Sequence, residues 1–262
     1  MSLDLAPALH VLVASMVLMA AGWEVQRRTR NAGIVDVLWA AGMGGAALYY
    51  GLVGEGAPLR RWLVALLGGL WALRLLLHLA RRVRKEPEDG RYAYLRRHWA
   101  DSQARFFLFF MAQALLTALF SLPFRVVSAH PGNAVDGWVV AGVLLFLLSL
   151  AGEASADRQL ARHRADPALR GKTCRSGLWR YSRHPNYFFE WLLWFTWVLL
   201  GIGAPHGWLT LLGPLLMGAS LAWITGIPFA EAQSLRSRGD DYRRYQQETS
   251  VFFPWPPRRG RE

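Results

Sequence analysis

The sequence predicts an all-α integral membrane protein of about seven transmembrane helices, with the N-terminus outside and the C-terminus in the cytosol. Of its 262 residues 53% are hydrophobic, yet the formal net charge is +12. This combination is typical of apolar spans joined by basic loops. A nucleic-acid-binding protein would carry its basic residues on one polar face, so nucleic acid is not an expected partner. We expect a single membrane domain over residues 1–262, and no pattern indicates an oligomeric state.

Seven apolar runs approach the roughly 20 residues that a helix needs to cross a bilayer. In chain order they cover residues 5–22, 33–53, 62–80, 106–126, 135–152, 187–202 and 208–227. The first run has no positive charge before it and is followed by Arg27, Arg28 and Arg30. It therefore differs from a cleavable signal peptide, and we expect a retained helix whose N-terminal end lies outside. The sixth run is short and begins at the boundary set by Pro185.

Lysine and arginine are distributed unevenly between the two sides of this topology. The inner segments, including the C-terminal segment 228–262, carry 26 of the 30 residues. The outer segments carry Arg60, Arg61 and Arg125, and Arg74 lies within a span. Because positive residues favour the cytoplasmic side, the pattern predicts a multi-pass protein of the bacterial inner membrane. Anionic membrane lipids are expected partners of the inner arginines, and the single Cys174 excludes an internal disulfide.

Ionisable side chains within apolar spans are costly, so each is a candidate functional residue. Asp36 lies about one turn into the second span, where the dipole at a helix N-terminus also favours a carboxylate. Arg74, His78 and Arg81 have i, i+4 and i+7 spacing and share one face of the third span. Two interpretations are open: an ion pair between Arg74 and Asp36, or a polar path from the cytosol to a buried pocket.

A second set of charged residues lies at the inner end of the fifth span. Glu153 and Asp157 are one turn apart, and Arg164 follows two turns later. These carboxylates either accept hydrogen bonds from a polar ligand or pair with neighbouring arginines. Glu231, at the end of the seventh span, has the same two interpretations.

The sixth span begins with an amide and a carboxylate. Pro185 is suited to the first helical position, which places Asn186 and Glu190 one above the other on the following helix. The sequence contains no Walker loop, no Rossmann glycine motif and no paired-cysteine zinc motif. The spacing of the histidines does not fit a metal site either, so no metal is expected; these are His78, His163 and His184.

The stretch from Gly177 to Trp191 reads Gly-Leu-Trp-Arg-Tyr-Ser-Arg-His-Pro-Asn-Tyr-Phe-Phe-Glu-Trp. It resembles the C-terminal signature of the steroid 5-alpha-reductase-like family, in particular the bacterial branch known as DUF1295. The resemblance covers essentially the whole chain, with the signature region over about residues 135–258. The other matching segments are Val-Asp36-Val-Leu-Trp39, Trp-x-Leu-Arg74, Glu88-Asp89-x-Arg91-Tyr92, and Tyr242-x-x-Tyr245 to Phe253-Pro-Trp255.

The resemblance implies a seven-helix membrane fold that holds NADPH among its cytosolic loops and helix ends. Asn186 and Glu190 would hold the nicotinamide carboxamide. Glu153 and Asp157 match the polar pair of the fifth helix that contacts the cofactor, with Glu153 in place of an asparagine. Arg164 matches a basic residue that faces the phosphates. Three residues of the signature complete the expected cofactor-binding set, without separate roles: Tyr181, Arg183 and His184.

One departure from the steroid enzymes concerns the substrate. Those enzymes polarise the substrate ketone with a glutamate on the second helix and a tyrosine on the third, where this chain offers Asp36, Arg74 and His78. We expect Arg74 or His78 to stabilise a developing enolate oxygen, and Asp36 to orient them or to donate a proton. The predicted activity is NADPH-dependent reduction of a carbon–carbon double bond in a lipophilic substrate, steroid-like, isoprenoid or lipid enone, that enters from the bilayer.

Two other functions fit parts of the sequence. Membrane methyltransferases of the isoprenylcysteine and phospholipid types share the Arg-His-Pro-x-Tyr core and use S-adenosylmethionine. They carry a Glu-Glu pair further along the chain, where this sequence has Glu231-Ala232. A non-enzymatic lipid-binding or transport protein would use the buried charges only for structure, although no internal repeat favours transport.

Overall fold

The computed structural model describes residues 5–224 and 226–258, which form helices and turns with no strand among them. Thr225, in the seventh predicted span, lies outside the described residues, as do residues 1–4 and the end of the predicted inner segment, 259–262. The α-helices of the described chain are α1 (Ala6–Thr29), α2 (Ile34–Val53), α3 (Pro58–Leu63), α4 (Gly69–Lys85), α5 (Gly90–His98), α6 (Gln103–Ser128), α7 (Gly137–Ala165), α8 (Pro185–Leu193), α9 (Phe195–Leu200), α10 (Leu212–Ala219), α11 (Ile227–Arg238) and α12 (Asp240–Glu248).

Among the described residues, five helical stretches are long and apolar enough to cross a membrane, by length and composition: Ala6–Thr29, Pro58–Lys85, Gln103–Ser128, Gly137–Ala165 and, apart from Thr225, Gly207–Arg238. The second predicted span is outside this set but is an unbroken helix, α2, of 20 residues. The sixth is divided at Trp194 into α8 and α9. Helical content and apolar spans are therefore consistent with the predicted membrane protein.

The helices expose large apolar side chains, as lipid-facing helices do. On α1 the exposed residues Leu9, Val13 and Val17 lie about one turn apart, and Leu48 and Leu52 do the same on α2. Exposed apolar surface of this extent marks contact with a partner or a membrane rather than with water. These faces are suited to membrane lipids.

The chain divides into two compact units, each described by itself. Unit 1 contains the residues up to Val139 together with Trp197–Gly213. Its helices approach closely where glycine meets alanine: a Cβ at Gly51 would lie 2.7 Å from that of Ala65, and one at Gly68 would lie 2.7 Å from that of Ala47. Such small-residue contacts are usual between membrane helices.

Unit 2 contains Val140–Thr196 and the residues from Pro214 onward. A Cβ at Gly152 of α7 would lie 2.5 Å from the ring of Phe189 on α8. Two turns further along α7, the side-chain oxygen of Gln159 accepts from the backbone N–H of Leu178 at 2.8 Å. Gly152 of α7 thus contacts a residue of α8, whereas Gln159, later on α7, contacts a residue that precedes α8. The helices α7 and α8 therefore run antiparallel.

Candidate functional site

The Asp36 carboxylate at the start of α2 is held by two residues of α5. Its Oδ1 accepts from the Tyr92 hydroxyl at 2.6 Å and its Oδ2 from Nη2 of Arg91 at 3.0 Å. Arg91 also donates through Nε to Asp89 at 3.0 Å, and Asp89 caps α5 by accepting from the Arg91 backbone N–H. Burial raises the pKa of Asp89, but its bonds to Arg91 outweigh this, so the pKa lies below its usual value.

The sequence predicts a polar group of Asp36, Arg74 and His78, and in the structure Asp36 is bonded to Arg91 and Tyr92. Arg74 is half-buried on α4, while His78, one turn later, is exposed. The charge-stabilising roles of Asp36, Arg74 and His78 stay predictions. A small pocket of unit 1 opens beside Asp36 and is lined in addition by Asn31, Gly33, Leu79, Arg82, Val83, Pro87 and Asp89.

Tyr92→Phe should lower the stability of unit 1 by about 1–3 kcal/mol, because the Asp36 carboxylate loses the hydrogen bond from the hydroxyl of the buried Tyr92. For a chain of this size that corresponds to a fall in Tm of roughly 2–12 °C in detergent. Tyr94→Phe is the matched control, since Tyr94 is exposed and stacks on His98 through its ring. Equal Tm values for the two variants would contradict a stabilising role for the Tyr92 hydroxyl.

In unit 2 the polar residues predicted to bind cofactor lie along the α7–α8 pair. The side-chain amide of Asn186 donates to Oδ1 of Asp157 at 3.3 Å. Glu153 precedes Asp157 by one turn and is only 7% exposed, while Glu190 follows Asn186 by one turn. Because the helices are antiparallel, the two glutamates lie at one level, about 6 Å along the axis from the Asn186–Asp157 contact.

This arrangement combines one amide with three carboxylates on two facing helices. The indole N–H of Trp194 donates to Oε1 of Glu190 at 3.4 Å, which fixes that carboxylate along α8. Arg164 is exposed two turns beyond Asp157 on α7, and Tyr181 is exposed before α8. The structure therefore brings Asn186 and Asp157 into contact and places Glu190 and Glu153 one turn away on the same two helices. Along α7 the predicted residues run from the buried Glu153 through the half-buried Asp157 to the exposed Arg164.

Arg183, His184 and Glu231 form a second polar cluster of unit 2. Arg183 donates through Nε and Nη2 to the two oxygens of Glu231, at 2.9 and 3.2 Å. His184 Nε2 lies 2.9 Å from Oε1 of Glu231. The hydroxyl of Tyr242 donates to the same oxygen at 2.8 Å, and the amide of Gln246 donates to Oε2. Both carboxylate oxygens are thus engaged by side chains of the protein.

This cluster positions the start of α8. Arg183 Nη1 donates to the carbonyls of Gln246 and Thr249, at 2.9 and 2.8 Å, and the His184 ring stacks on Tyr187 with centroids 5.4 Å apart. Arg183 and His184 lie directly before Pro185 and Asn186, so the cluster fixes the helix end that carries the amide. Their predicted role as direct cofactor contacts stays a prediction.

The chain beyond α12 is hydrogen-bonded to the same segment. Backbone N–H groups of Arg183 and Trp255 donate to the carbonyls of Ser250 and Tyr181, each at 2.9 Å. The Ser182 hydroxyl donates to the carbonyl of Phe252 at 2.8 Å. No contact of this C-terminal segment was predicted from the sequence. Its sequence signals are the match of Phe253-Pro-Trp255 to the family pattern and the run of aromatic residues after α12. These aromatic residues pack on α8: Phe252 and Phe253 contact Phe188 and Trp191.

Comparisons with known proteins place these features within one family. No solved structure matches the chain significantly. The protein called Uncharacterized protein C594.04c, from Schizosaccharomyces pombe, is 27% identical over 277 aligned residues, which cover 93% of this chain and 78% of that protein. The family model described as a protein of unknown function, DUF1295, matches residues 22–249. That range includes Asp36, Asn186, Glu190 and Glu231, and because it covers most of the sequence, the chain belongs to the DUF1295 family.

Proposed function

We propose that this protein is a membrane-embedded, NADPH-dependent reductase of a carbon–carbon double bond in a lipophilic substrate, similar to the steroid 5-alpha-reductases. The observation that carries the proposal is the facing of Asn186 and Glu190 on α8 with Asp157 and Glu153 on α7. These four positions match those at which the resemblance expects contacts to the cofactor. The Asn186–Asp157 contact at 3.3 Å supports a shared site within unit 2.

The chemistry of these side chains fits a nicotinamide carboxamide. The Asn186 amide, oriented by Asp157, offers an acceptor oxygen to the carboxamide N–H groups, and Glu190 offers a second acceptor. Bound NADPH supplies the hydride, and the protein contributes orientation and electrostatics. Arg164 presents a guanidinium fork of the kind that binds phosphate. Its place two turns beyond Asp157 suits a ligand that extends from the carboxylates toward the exposed end of α7.

The Glu231 cluster supports the reductase over the methyltransferase. The methyltransferases that share the Arg-His-Pro core use two consecutive acids at this place. Here the second is Ala232, and Glu231 already accepts from Arg183, Tyr242 and Gln246. A carboxylate engaged in this way is poorly placed to bind a ligand as well.

We further propose seven spans in a bacterial inner membrane, with the N-terminus outside. Helix α2 and the α8–α9 pair would supply the two spans beyond the five long apolar stretches. The lysine and arginine distribution supports this orientation.

In intact cells, an impermeant thiol reagent should label a cysteine introduced at Asn133 and not one at Arg170; the reverse pattern would contradict the orientation.

A thermal-shift experiment on the detergent-purified protein tests the function. NADPH at a hundredfold excess over its Kd should raise the Tm by about 5–10 °C, because a ligand that binds only the folded state stabilises it by mass action. NADH and S-adenosylmethionine serve as comparison ligands. Stabilisation by S-adenosylmethionine alone would favour the methyltransferase, and no shift with any of the three would favour a non-enzymatic membrane protein.

A further inference from the structure

Arginines that share one end of unit 1 differ in how their side chains are satisfied. Arg60 is fully buried and donates to the Asp136 carboxylate at 3.0 Å and to the carbonyl of Leu200 at 3.1 Å. Arg61 caps the C-terminal end of α2 by donating to the carbonyls of Gly51 and Leu52. Both guanidinium groups therefore have protein acceptors.

Arg125, in the last turn of α6, is different. Its side chain is buried, with the residue 4% exposed, and its Nε and Nη1 have no hydrogen-bond partner within the described chain. The helix around it is buried on every side from Pro123 to Ser128. Most of the guanidinium is therefore shielded from water, unlike that of an exposed arginine, whose head group extends into the solvent.

The acceptors near Arg125 are already engaged with other donors. Its own carbonyl accepts from the Ser128 hydroxyl at 2.8 Å, and the Ser128 carbonyl accepts from the backbone N–H of Gly56 at 3.0 Å. One turn earlier, Ser121 is bonded to the hydroxyl of Tyr50 at 3.3 Å. The carboxylates on this side of unit 1 are Asp136, which binds Arg60, and the exposed Glu55.

A buried guanidinium keeps its charge, since arginine does not deprotonate in proteins. Burial of such a charge is costly unless an opposite charge compensates it. A water molecule would satisfy the donors but would leave the charge uncompensated. We therefore propose that Arg125 binds a small monovalent anion, chloride or a carboxylate group, at the end of α6 in unit 1. One guanidinium matches one negative charge, so a divalent anion would leave an excess charge buried.

The test uses the detergent-purified full-length chain, first in sodium isethionate, whose anion is large. At constant ionic strength, sodium chloride is titrated in one series and sodium decanoate in another. We expect the Tm to rise by about 5–10 °C at a hundredfold excess of the binding anion over its Kd. A response to chloride identifies a halide site, and a response to decanoate alone identifies a site for the carboxylate of an amphiphile.

Variants separate this site from general salt effects. Arg125→Met should abolish the anion dependence, while the matched control Arg105→Met, an exposed position on the same helix, should keep it. If Arg125→Met does not fold, Arg125→Lys keeps the charge without the planar fork and should weaken the apparent anion affinity roughly tenfold. Identical Tm values of the unmodified chain in all three anions, or an anion dependence that persists in Arg125→Met, would overturn the proposal.

Discussion

Glu231→Ala should destabilise unit 2 by about 3–5 kcal/mol, because it leaves Arg183 and His184 buried without their carboxylate. The hydroxyl of Tyr242 and the amide of Gln246 lose the same acceptor. The expected fall in Tm, measured in detergent, is roughly 6–20 °C. The rate of hydrogen exchange should rise at the backbone N–H of Arg183, which donates to the carbonyl of Ser250, because the cluster holds these two segments together.

Glu248→Ala provides the matched control for this large effect. Glu248 also binds an arginine, Arg175, at 2.9 Å, but about a third of each of the two side chains is exposed. Ion pairs at such positions contribute about 0–1 kcal/mol. Glu231→Gln should fall between the two, because it keeps one acceptor oxygen and loses the charge. If Glu231→Ala costs no more than Glu248→Ala, the cluster does not hold unit 2 together.

Asn186→Ala should weaken NADPH binding at least tenfold, about 1.4 kcal/mol or more, because the carboxamide loses its amide partner and Asp157 loses the group that it orients. Glu190→Gln should weaken binding as well, since it removes the negative charge but keeps the shape. Titration of the purified variants with NADPH, followed by thermal shift, measures both effects. Without NADPH, their Tm values should stay close to that of the unmodified chain.

Gln233→Ala is the control for loss of an amide. Gln233 is an exposed residue of α11 in unit 2 that has no predicted contact with the cofactor, so this variant should bind NADPH as the unmodified chain does. If Asn186→Ala and Glu190→Gln instead prevent folding, the pair is structural. Unchanged NADPH affinity in both variants would remove these residues from the proposed site.

The helical architecture could be predicted because apolar run length alone determines whether a segment can span a bilayer. The predicted second span, 33–53, agrees with α2, Ile34–Val53, to within one residue at its start. The division of the sixth span at Trp194 could not be predicted in this way. A run of apolar residues looks the same whether its helix is straight or broken, and the break depends on packing.

The candidate site could be predicted where both residues of a contact lie within the signature region, about residues 135–258. Asn186 and Asp157 were both identified from spacing, and the structure places them in contact. The partners of Asp36 were missed because Arg91 and Tyr92 lie 55 and 56 positions away, in a loop rich in arginine and tyrosine. Spacing along the sequence does not show which arginine of such a loop binds a given carboxylate, because tertiary packing determines which side chains come into contact.

The hydrogen bonds between the Tyr181–His184 segment and the chain after α12 have a consequence for biosynthesis. Ser182 bonds to a residue 70 positions later, and Arg183 bonds to residues 63 and 66 positions later. While the ribosome is still translating those positions, the segment ahead of Pro185 lacks its final acceptors. Unit 2 therefore acquires its native geometry around Asn186 only after residues 246–252 have been synthesised, well after the apolar helices of unit 1 before Val139.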